Sequence, residues 1–322
     1  MQFPFRLIDN KEFDAVGFGL NAVDHLIVVP SYPAFDTKTR FTDYQLSAGG
    51  QTASAMTGLQ RLGLKTAYAG RFGSDDAGRY GLQSLVDEGV NTRFAEVIDG
   101  ARTQTAFIII DAQSGERTIL WDRDERLSYA EGDAPAAMAG HGRVLHIDAH
   151  DPPACLVLAR EARRAGVVVS LDVDNIYDGL PELLPFVDVL LSSAEFPHRL
   201  TGMEDESAAL LEIKSRFGCS VIGMTRGVRG AILYCEGAFV ESPAFIVPDG
   251  CRDTTGAGDA FHAGFLYGLL KGEEIEACLR VACAIAALKC RSLGARSALP
   301  TLDELKDFLL HASPLQGTIT NA

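Results

Sequence analysis

Residues 144–172, VLHIDAHDPPACLVLAREARRAGVVVSLD, hold an apolar, β-branched run (Val144–Asp148), a stretch of helical length (Pro153–Ala165) and a second apolar run (Val167–Asp172). The alternation recurs on both sides. Candidate strands are Ala15–Phe18, Thr66–Ala69, Val187–Leu191 and Val221–Thr225, and candidate helices are Thr52–Leu62, Ser207–Phe217, Gly258–Leu270 and Glu273–Arg291. Short buried strands separated by helices are the rhythm of an α/β fold built around a largely parallel sheet. Two regions break it: Thr37–Gln45, and Gln104–Asp111 with Arg117–Asp122, where Ser114 and Gly115 supply a turn. They predict a small antiparallel sheet inserted around 36–46 and 103–123 into a single domain spanning 1–322. Such an appendage suits a lid that excludes water from a ligand, and an ordinary hairpin with no moving role fits the same pattern.

Of 322 residues, 47% are hydrophobic, enough for a large packed core and unlike a disordered chain. Lys and Arg number 29 against 43 Asp and Glu, and the net charge of −14 repels a polyphosphate chain. Nucleic acid is therefore not an expected partner. A small anion remains possible, because a helix N-terminus or a bound metal reverses the field locally. The cysteines (Cys155, Cys219, Cys235, Cys251, Cys278, Cys283, Cys290) are scattered and form no C-x-x-C pair suited to zinc. They read as thiols of a reduced compartment. Charges within the first fourteen positions leave no signal peptide, and no charge-free span long enough for a membrane is present. A cytosolic protein is expected.

The segment DTTGAGDAF, Asp253–Phe261, stands immediately before an apolar helix that continues through Phe265, Leu266 and Leu269. Gly256, Ala257 and Gly258 leave backbone N–H groups uncovered at that helix start, where the dipole favours a phosphate or a developing oxyanion. Asp259 sits beside this anion site. A carboxylate there suits the acceptance of a proton from an attacking hydroxyl while the amides steady a transferring phosphoryl group. A tight glycine turn followed by an acidic residue in a first helical turn is the plainer alternative.

The nine residues together resemble the signature of the ribokinase-like (PfkB) carbohydrate kinases, in which the second Asp is the catalytic base and Gly-Ala-Gly the anion hole. The resemblance implies a three-layer α/β/α fold with a mostly parallel central sheet and a small antiparallel β lid. It extends along nearly the whole chain. GFGLNAVDHLIVVPSYP (17–33) resembles the opening segment whose Asp binds sugar hydroxyls, here Asp24 with Asn21 nearby. A carboxylate among Ala22, Val23, Leu26 and Ile27 is costly to bury without partners, which sugar hydroxyls would supply. Ala48, Gly49 and Gly50 lead into a small-residue helix that resembles the floor of the substrate pocket, with Gln51 and Ser54 at the sugar-facing positions. Ser54 departs from the family's usual Asn. GERTILWDRDERLS (115–128) is similar to ketohexokinase, and the likeness places Trp121 and Arg123 near the pocket mouth, although a packing Trp and solvated Arg123 and Arg126 are the plainer readings.

Asp172, Asp174 and Asn175 end a strand at the usual ligand crevice of such sheets and suit a metal, a hydroxyl or a helix cap. LLSSAEFPHRLTG (190–202) resembles the N-x-x-E region, with Ser192 in place of the Asn and Glu195 as the Glu that helps place magnesium; Asp253 is the second metal-side carboxylate. Thr225-Arg226-Gly227-Val228-Arg229-Gly230 looks like the T-x-G-x-x-G turn along the ATP phosphates, where Thr225, Gly227 and Gly230 join Thr255, Gly256 and Gly258 in binding the nucleotide. A plain hairpin turn before Ala231–Tyr234 is the alternative. CAIAALKC and RSLGARSALP are similar to the adenine side of ketohexokinase and sulfofructose kinase. Asp253, Thr255 and carbonyls of the Lys289–Arg296 loop mark where such kinases hold a monovalent cation such as K⁺.

The resemblance therefore implies an ATP- and Mg²⁺-dependent kinase for a ketohexose or related sugar, forming a homodimer through its lid. A nucleoside kinase of adenosine-like specificity is the alternative substrate reading. A catalytically silent sugar- or nucleotide-binding protein of the same fold is the alternative class, favoured only by the altered N-x-x-E region. A dinucleotide-dependent dehydrogenase is not expected, since Gly17 and Gly19 are followed by Leu-Asn-Ala-Val-Asp and no third Gly opens a helix.

Overall fold

Side-chain parity along the apolar strands sets the layering. The computed structural model describes residues 1–113 and 115–315. In chain order the N-terminal part comprises β1 (Phe13–Phe18), β2 (Ala22–Val29), β3 (Asp43–Gly49), α1 (Gln51–Arg61), β4 (Thr66–Ala69), β5 (Arg71–Gly73), α2 (Asp76–Asp87), β6 (Glu96–Ile98), β7 (Thr105–Asp111) and β8 (Arg117–Asp122). The central part follows with β9 (Gly142–Asp148), α3 (Pro152–Arg164), β10 (Val168–Val173), α4 (Leu180–Leu183), β11 (Val189–Ser192), α5 (Glu195–Thr201), α6 (Glu206–Phe217) and β12 (Val221–Thr225). Then come β13 (Ala231–Cys235), β14 (Ala238–Ser242), α7 (Ala257–Lys271), α8 (Ile275–Lys289) and α9 (Leu302–His311).

The main sheet has the order β14-β13-β12-β11-β10-β9-β1-β4. It is parallel from β12 to β4, with β13 and β14 antiparallel at one edge. Every residue of β10 is buried, as a strand covered on both faces requires. Successive side chains point to opposite faces. Val144, Val168, Val189 and Val221 pack with α1, α7 and α8 through Met56, Phe265 and Leu279. Their neighbours Leu145, Val169, Leu190 and Ile222 pack on the other face with Leu158 of α3 and Ile213 of α6. The result is the three-layer α/β/α fold expected from the sequence.

A separate sheet has the order β3-β2-β7-β8. Its membership differs from the expectation in one strand and one boundary. Ala22–Val29, read only as the exit of the first strand, is its central strand β2. Residues 37–42 are not strand; β3 begins at Asp43, because its register is fixed by pairing Gly49 with Ala22 and Asp43 with Val28. Thr37 instead closes a turn by donating to the Ala34 carbonyl at 2.7 Å. Ser114, read as half of the turn between β7 and β8, lies outside the described residues. The inner face of this sheet, through Leu26, Ala106, Ile108 and Ile110, packs on Leu293. Gln45 adds hydrogen bonds to the Leu293 carbonyl at 3.2 Å and to Ser297 at 2.9 Å.

Helices α7 and α8 cross closely because both lines of contact are small. A Cβ on Gly264 would lie 2.6 Å from the Ala282 Cα, and one on Gly268 2.8 Å from Cys278 Sγ. This crossing carries α7, and with it the DTTGAGDAF segment, against the sheet. Gly264→Val should therefore lower stability by about 1–3 kcal/mol, the usual cost of overpacking. Urea unfolding should show a lower midpoint at an unchanged slope; a wild-type midpoint would refute the close crossing.

Candidate active site

Helix α7 begins where the chain turns through Gly256, at φ 75° and ψ 8°. A Cβ there would lie 2.7 Å from the Ala295 backbone, so both the left-handed turn and the close approach require glycine. The first amides of α7 have no intrahelical acceptor and open at Gly258, which meets no neighbour within 4 Å of a built Cβ. Asp259 lies in this first turn, half-buried. Burial pushes its carboxyl well above the usual carboxylate range, Asp172, Asp24 and Asp148 push it further, and Arg296 opposes them. One turn along α7, His262 Nε2 lies 3.0 Å from Asp172 Oδ1. Burial pulls His262 down to about 3 and raises Asp172 well above the ordinary value.

The strand ends supply the other carboxylates. Asp148, at the end of β9, accepts from the Leu20 amide at 2.6 Å and Thr52 Oγ1 at 2.9 Å, with His150 Nδ1 at 3.4 Å. Burial pushes Asp148 up, but His150 and these donors win and hold it below the ordinary value. Asp172 lies inside β10 and caps no helix. Asp174 accepts from the Tyr177 hydroxyl at 3.3 Å and Asn175 from the next amide at 2.9 Å, both on the exposed side. Asp24 is buried on β2, and no described residue donates a hydrogen bond to it. Burial pushes it up to about 6, against the pull of Arg296 and with a push from Asp253.

Gly49 and Gly50 allow close packing against the residues of the β1–β2 connection and β2. A Cβ on Gly49 would fall 2.1 Å from Asp24 Oδ2, and Gly50, at φ 92°, lies against the backbone of Asn21. Asn21 Nδ2 donates to Tyr68 Oη at 3.1 Å and to the Arg71 carbonyl at 2.9 Å, while its buried Oδ1 has no partner. Gln51 Oε1 is likewise buried and unpartnered. Ser54 differs: its hydroxyl accepts from Arg296 Nε at 3.2 Å and is committed within the protein. Arg296 also donates to Ser84 Oγ at 3.0 Å and to the Gly49 carbonyl.

Arg123 is neither solvated nor open to an anion. It is largely buried and pairs with Asp151, Nη2 to Oδ2 at 2.8 Å and Nη1 to Oδ1 at 3.3 Å. Arg126 pairs with Asp124 at the surface. Trp121 is not a packing residue, being 63% exposed. Register places it with Ala106 and Asp24 on the inner face of the second sheet. From the same strand, Arg117 Nη1 reaches the hydroxyl of Thr254, joining that sheet to the segment before α7.

Beside the α7 N-terminus opens an apolar cleft of about 280 Å³, lined by Thr225, Gly227, Gly230, Phe245, Ala257 and Ala287 among others. The Thr225–Gly230 segment is the β12–β13 hairpin connection, and Thr225, Gly227, Val228 and Gly230 wall this cleft. Gly227 and Gly230 take positive φ of 57° and 84°. Thr225 Oγ1 leans on the Ser192 carbonyl at 3.5 Å, and Thr255 Oγ1 is buried without a partner. The two carboxylates expected on the metal side sit in different settings. Glu195 is exposed at the start of α5. Asp253 is fully buried and accepts from the Thr255 and Gly294 amides, each at 2.8 Å. Among the described residues no three His, Cys, Asp or Glu side chains are grouped to hold a metal.

Two parts of this arrangement escaped the sequence reading. Asp148 had a signal, since it ends a parallel strand as Asp172 does. Arg296 had none, because a charged residue in a loop reads as a solvated one.

Comparison with known proteins follows the same lines. The family model described as pfkB family carbohydrate kinase matches residues 15–302. A ribokinase of Haemophilus influenzae is 29% identical over 297 residues, covering 90% of this chain and 96% of that protein. A fructokinase of Klebsiella pneumoniae is 30% identical over 280 residues, covering 80% and 90%. The solved structure of Arabidopsis thaliana ribokinase complexed with ribose and ATP superposes with a TM-score of 0.81 at 23% identity, covering 93% of this chain and 99% of that chain. No helix of the described residues is long and apolar enough to cross a membrane.

The Asp24 carboxyl gives a pH-dependent test. Its folded pKa of about 6 lies above the unfolded value, so its contribution is intact below about pH 4 and is lost as pH rises through 6. The loss amounts to about 3 kcal/mol at most. Asp24→Asn should match wild type in thermal stability near pH 4 and exceed it increasingly up to pH ~7. A difference that does not change with pH would show that Asp24 ionises in the folded protein as it does in water.

Proposed function

Because this chain belongs to the pfkB family of carbohydrate kinases, we propose that it transfers the γ-phosphoryl group of ATP to a hydroxyl of an uncharged sugar, a ketohexose or close relative, with Asp259 as general base. The observation that carries this reading is Asp259 itself, a carboxyl of raised proton affinity in the first turn of α7 beside the amides of Gly256 and Gly258, the Ala257 amide between them turning to the Thr254 carbonyl at 3.1 Å. A base whose pKa approaches the working pH accepts a hydroxyl proton efficiently. As the sugar oxygen attacks, Asp259 takes its proton, and the amides of Gly256 and Gly258 stabilise the charge on the phosphoryl oxygens.

Asp24, Asn21 Oδ1 and Gln51 Oε1 are acceptors without protein donors, which suits a ligand rich in hydroxyls. Gly49 and Gly50 let that ligand approach the backbone. Trp121, exposed on the Asp24 side of the second sheet, offers an aromatic face at the rim. Charge argues for an uncharged substrate. Asp24 and Asp259 stand in the field of Arg296, which donates to Ser54, Ser84 and Gly49, while Arg123 is paired with Asp151. A sugar phosphate would be desolvated beside the charges of Asp24 and Asp148.

The apolar cleft by Thr225–Gly230 suits the base of the nucleotide, with Thr225, Gly227 and Gly230 on its wall toward the phosphates and the unpartnered Thr255 hydroxyl in the segment that leads into α7. Bound magnesium neutralises phosphate charge and takes most of its ligands from phosphates and water. Exposed Glu195 is free to serve it, whereas the carboxylate of Asp253 is already engaged. The second sheet acts as the lid. Its outer face aligns His25, Leu46, Phe107 and Leu120 in register, and Phe107 and Leu120 are 47% and 57% exposed. A homodimer through this face would cover them.

Sugars, sugar phosphates and nucleosides screened for ADP release with Mg·ATP should single out neutral sugars. In that assay Asp259→Asn should lower kcat by roughly 10² to 10⁴ while nucleotide binding stays near wild type. Full activity of the variant would remove Asp259 from its role. Stabilisation by a sugar without any ADP release would identify a binding protein instead. For the assembly, light scattering should show a dimer that Phe107→Asp converts to monomer; a monomeric wild type would refute the shared face.

A further inference from the structure

Lys289, the last residue of α8, has no exposed surface. A buried ammonium is tolerated only where oxygens replace its water. Its Nζ donates to the Asp253 carbonyl at 2.8 Å and reaches the Ser292 carbonyl at 3.5 Å, with Asp253 Oδ2 at 3.7 Å. The same carboxylate accepts from Thr255 and Gly294, so one charge pair joins the segment that opens into the anion site to the loop after α8. Arg252 N adds a bond from the first segment to the Cys290 carbonyl at 2.9 Å. Burial draws Lys289 below the ordinary lysine value, and Asp253 opposes that fall.

These oxygens belong to the residues where the resemblance places a monovalent cation, namely Asp253, Thr255 and carbonyls of the loop from Lys289 to Arg296. A potassium ion there would compete for the Asp253 carboxylate and the Ser292 carbonyl while lying against a like charge. The donor set does not fit it. We infer that the Lys289 ammonium is the resident cation of this site, a covalently attached charge that holds the 253–256 and 290–294 segments together, and that the protein needs no K⁺ or Na⁺. Lys289 is thereby a positioning residue for the anion site and touches neither substrate.

This inference rests on the kinase reading only for its activity readout; thermal stability tests it independently. Wild-type protein is compared in KCl, NaCl and choline chloride at equal ionic strength, about 0.1 M, where general screening is the same. Its melting temperature, and its turnover on any sugar found active, should not differ between the salts. Lys289→Ala removes the charge and leaves room among the oxygens. It should melt lower than wild type in choline chloride and recover in KCl, with kcat following the same order. Lys289→Met, which fills the space without charge, should be destabilised and gain nothing from K⁺. A wild type that K⁺ specifically stabilises or activates several-fold overturns the inference, and that measurement needs no variant to fold. A Lys289→Ala protein indifferent to the cation also overturns it.

Discussion

One guanidinium ties the separate pieces of this site together. Arg296 comes from the loop after α8, yet it donates to the Gly49 carbonyl at the end of β3, to Ser54 in α1 and to Ser84 in α2. It also stands in the field of Asp24 and Asp259. Burial draws it down to about 10, which leaves it charged at neutral pH. Without a cation there, the carboxylates at the strand ends would face one another across a space of low dielectric. The chain could lower that cost only by protonating them or by opening the cleft.

The carboxylates are costly because the fold collects them. Parallel strands place every C-terminal end on one edge: Asp148 closes β9, Asp172 stands one residue before the end of its neighbour β10, and Asp259 lies in the first turn of α7. Their environments then diverge. Asp148 is held low by donors, whereas Asp172 and Asp259 are raised by burial and by one another. Residues of one type therefore perform different tasks, one structural and one able to take a proton. Stability surrendered at such a centre is offset by the large apolar layers on both faces of the sheet.

The sequence reveals local patterns and hides long-range ones. The parallel strands were legible because burial on both faces gives unbroken apolar runs, and the start of α7 because glycines and Asp259 occur within nine residues. Strand β2 was less legible: Ala22–Val29 alternates weakly, and only pairing with β3 and β7 assigns it to the second sheet. Ser54 and Arg123 had the right chemistry for a ligand, but their partners Arg296 and Asp151 lie far along the chain and no local spacing announces them. The same separation concealed Lys289 and Asp253, thirty-six positions apart.

Parity in β2 also governs how this protein can change. Asp24 faces inward with Leu26, while His25 faces outward with Phe107. Residues 30–42 carry no strand and leave the pairing of Val28 with Asp43 untouched, so they can lengthen or shorten freely over evolutionary time. Loss of one residue within β2 is a different event. It would exchange inner for outer positions along the remainder of the strand, giving up the buried carboxylate and the exposed face in a single step. Descendants of this chain can therefore vary the length of the connection freely, but must inherit the strand intact.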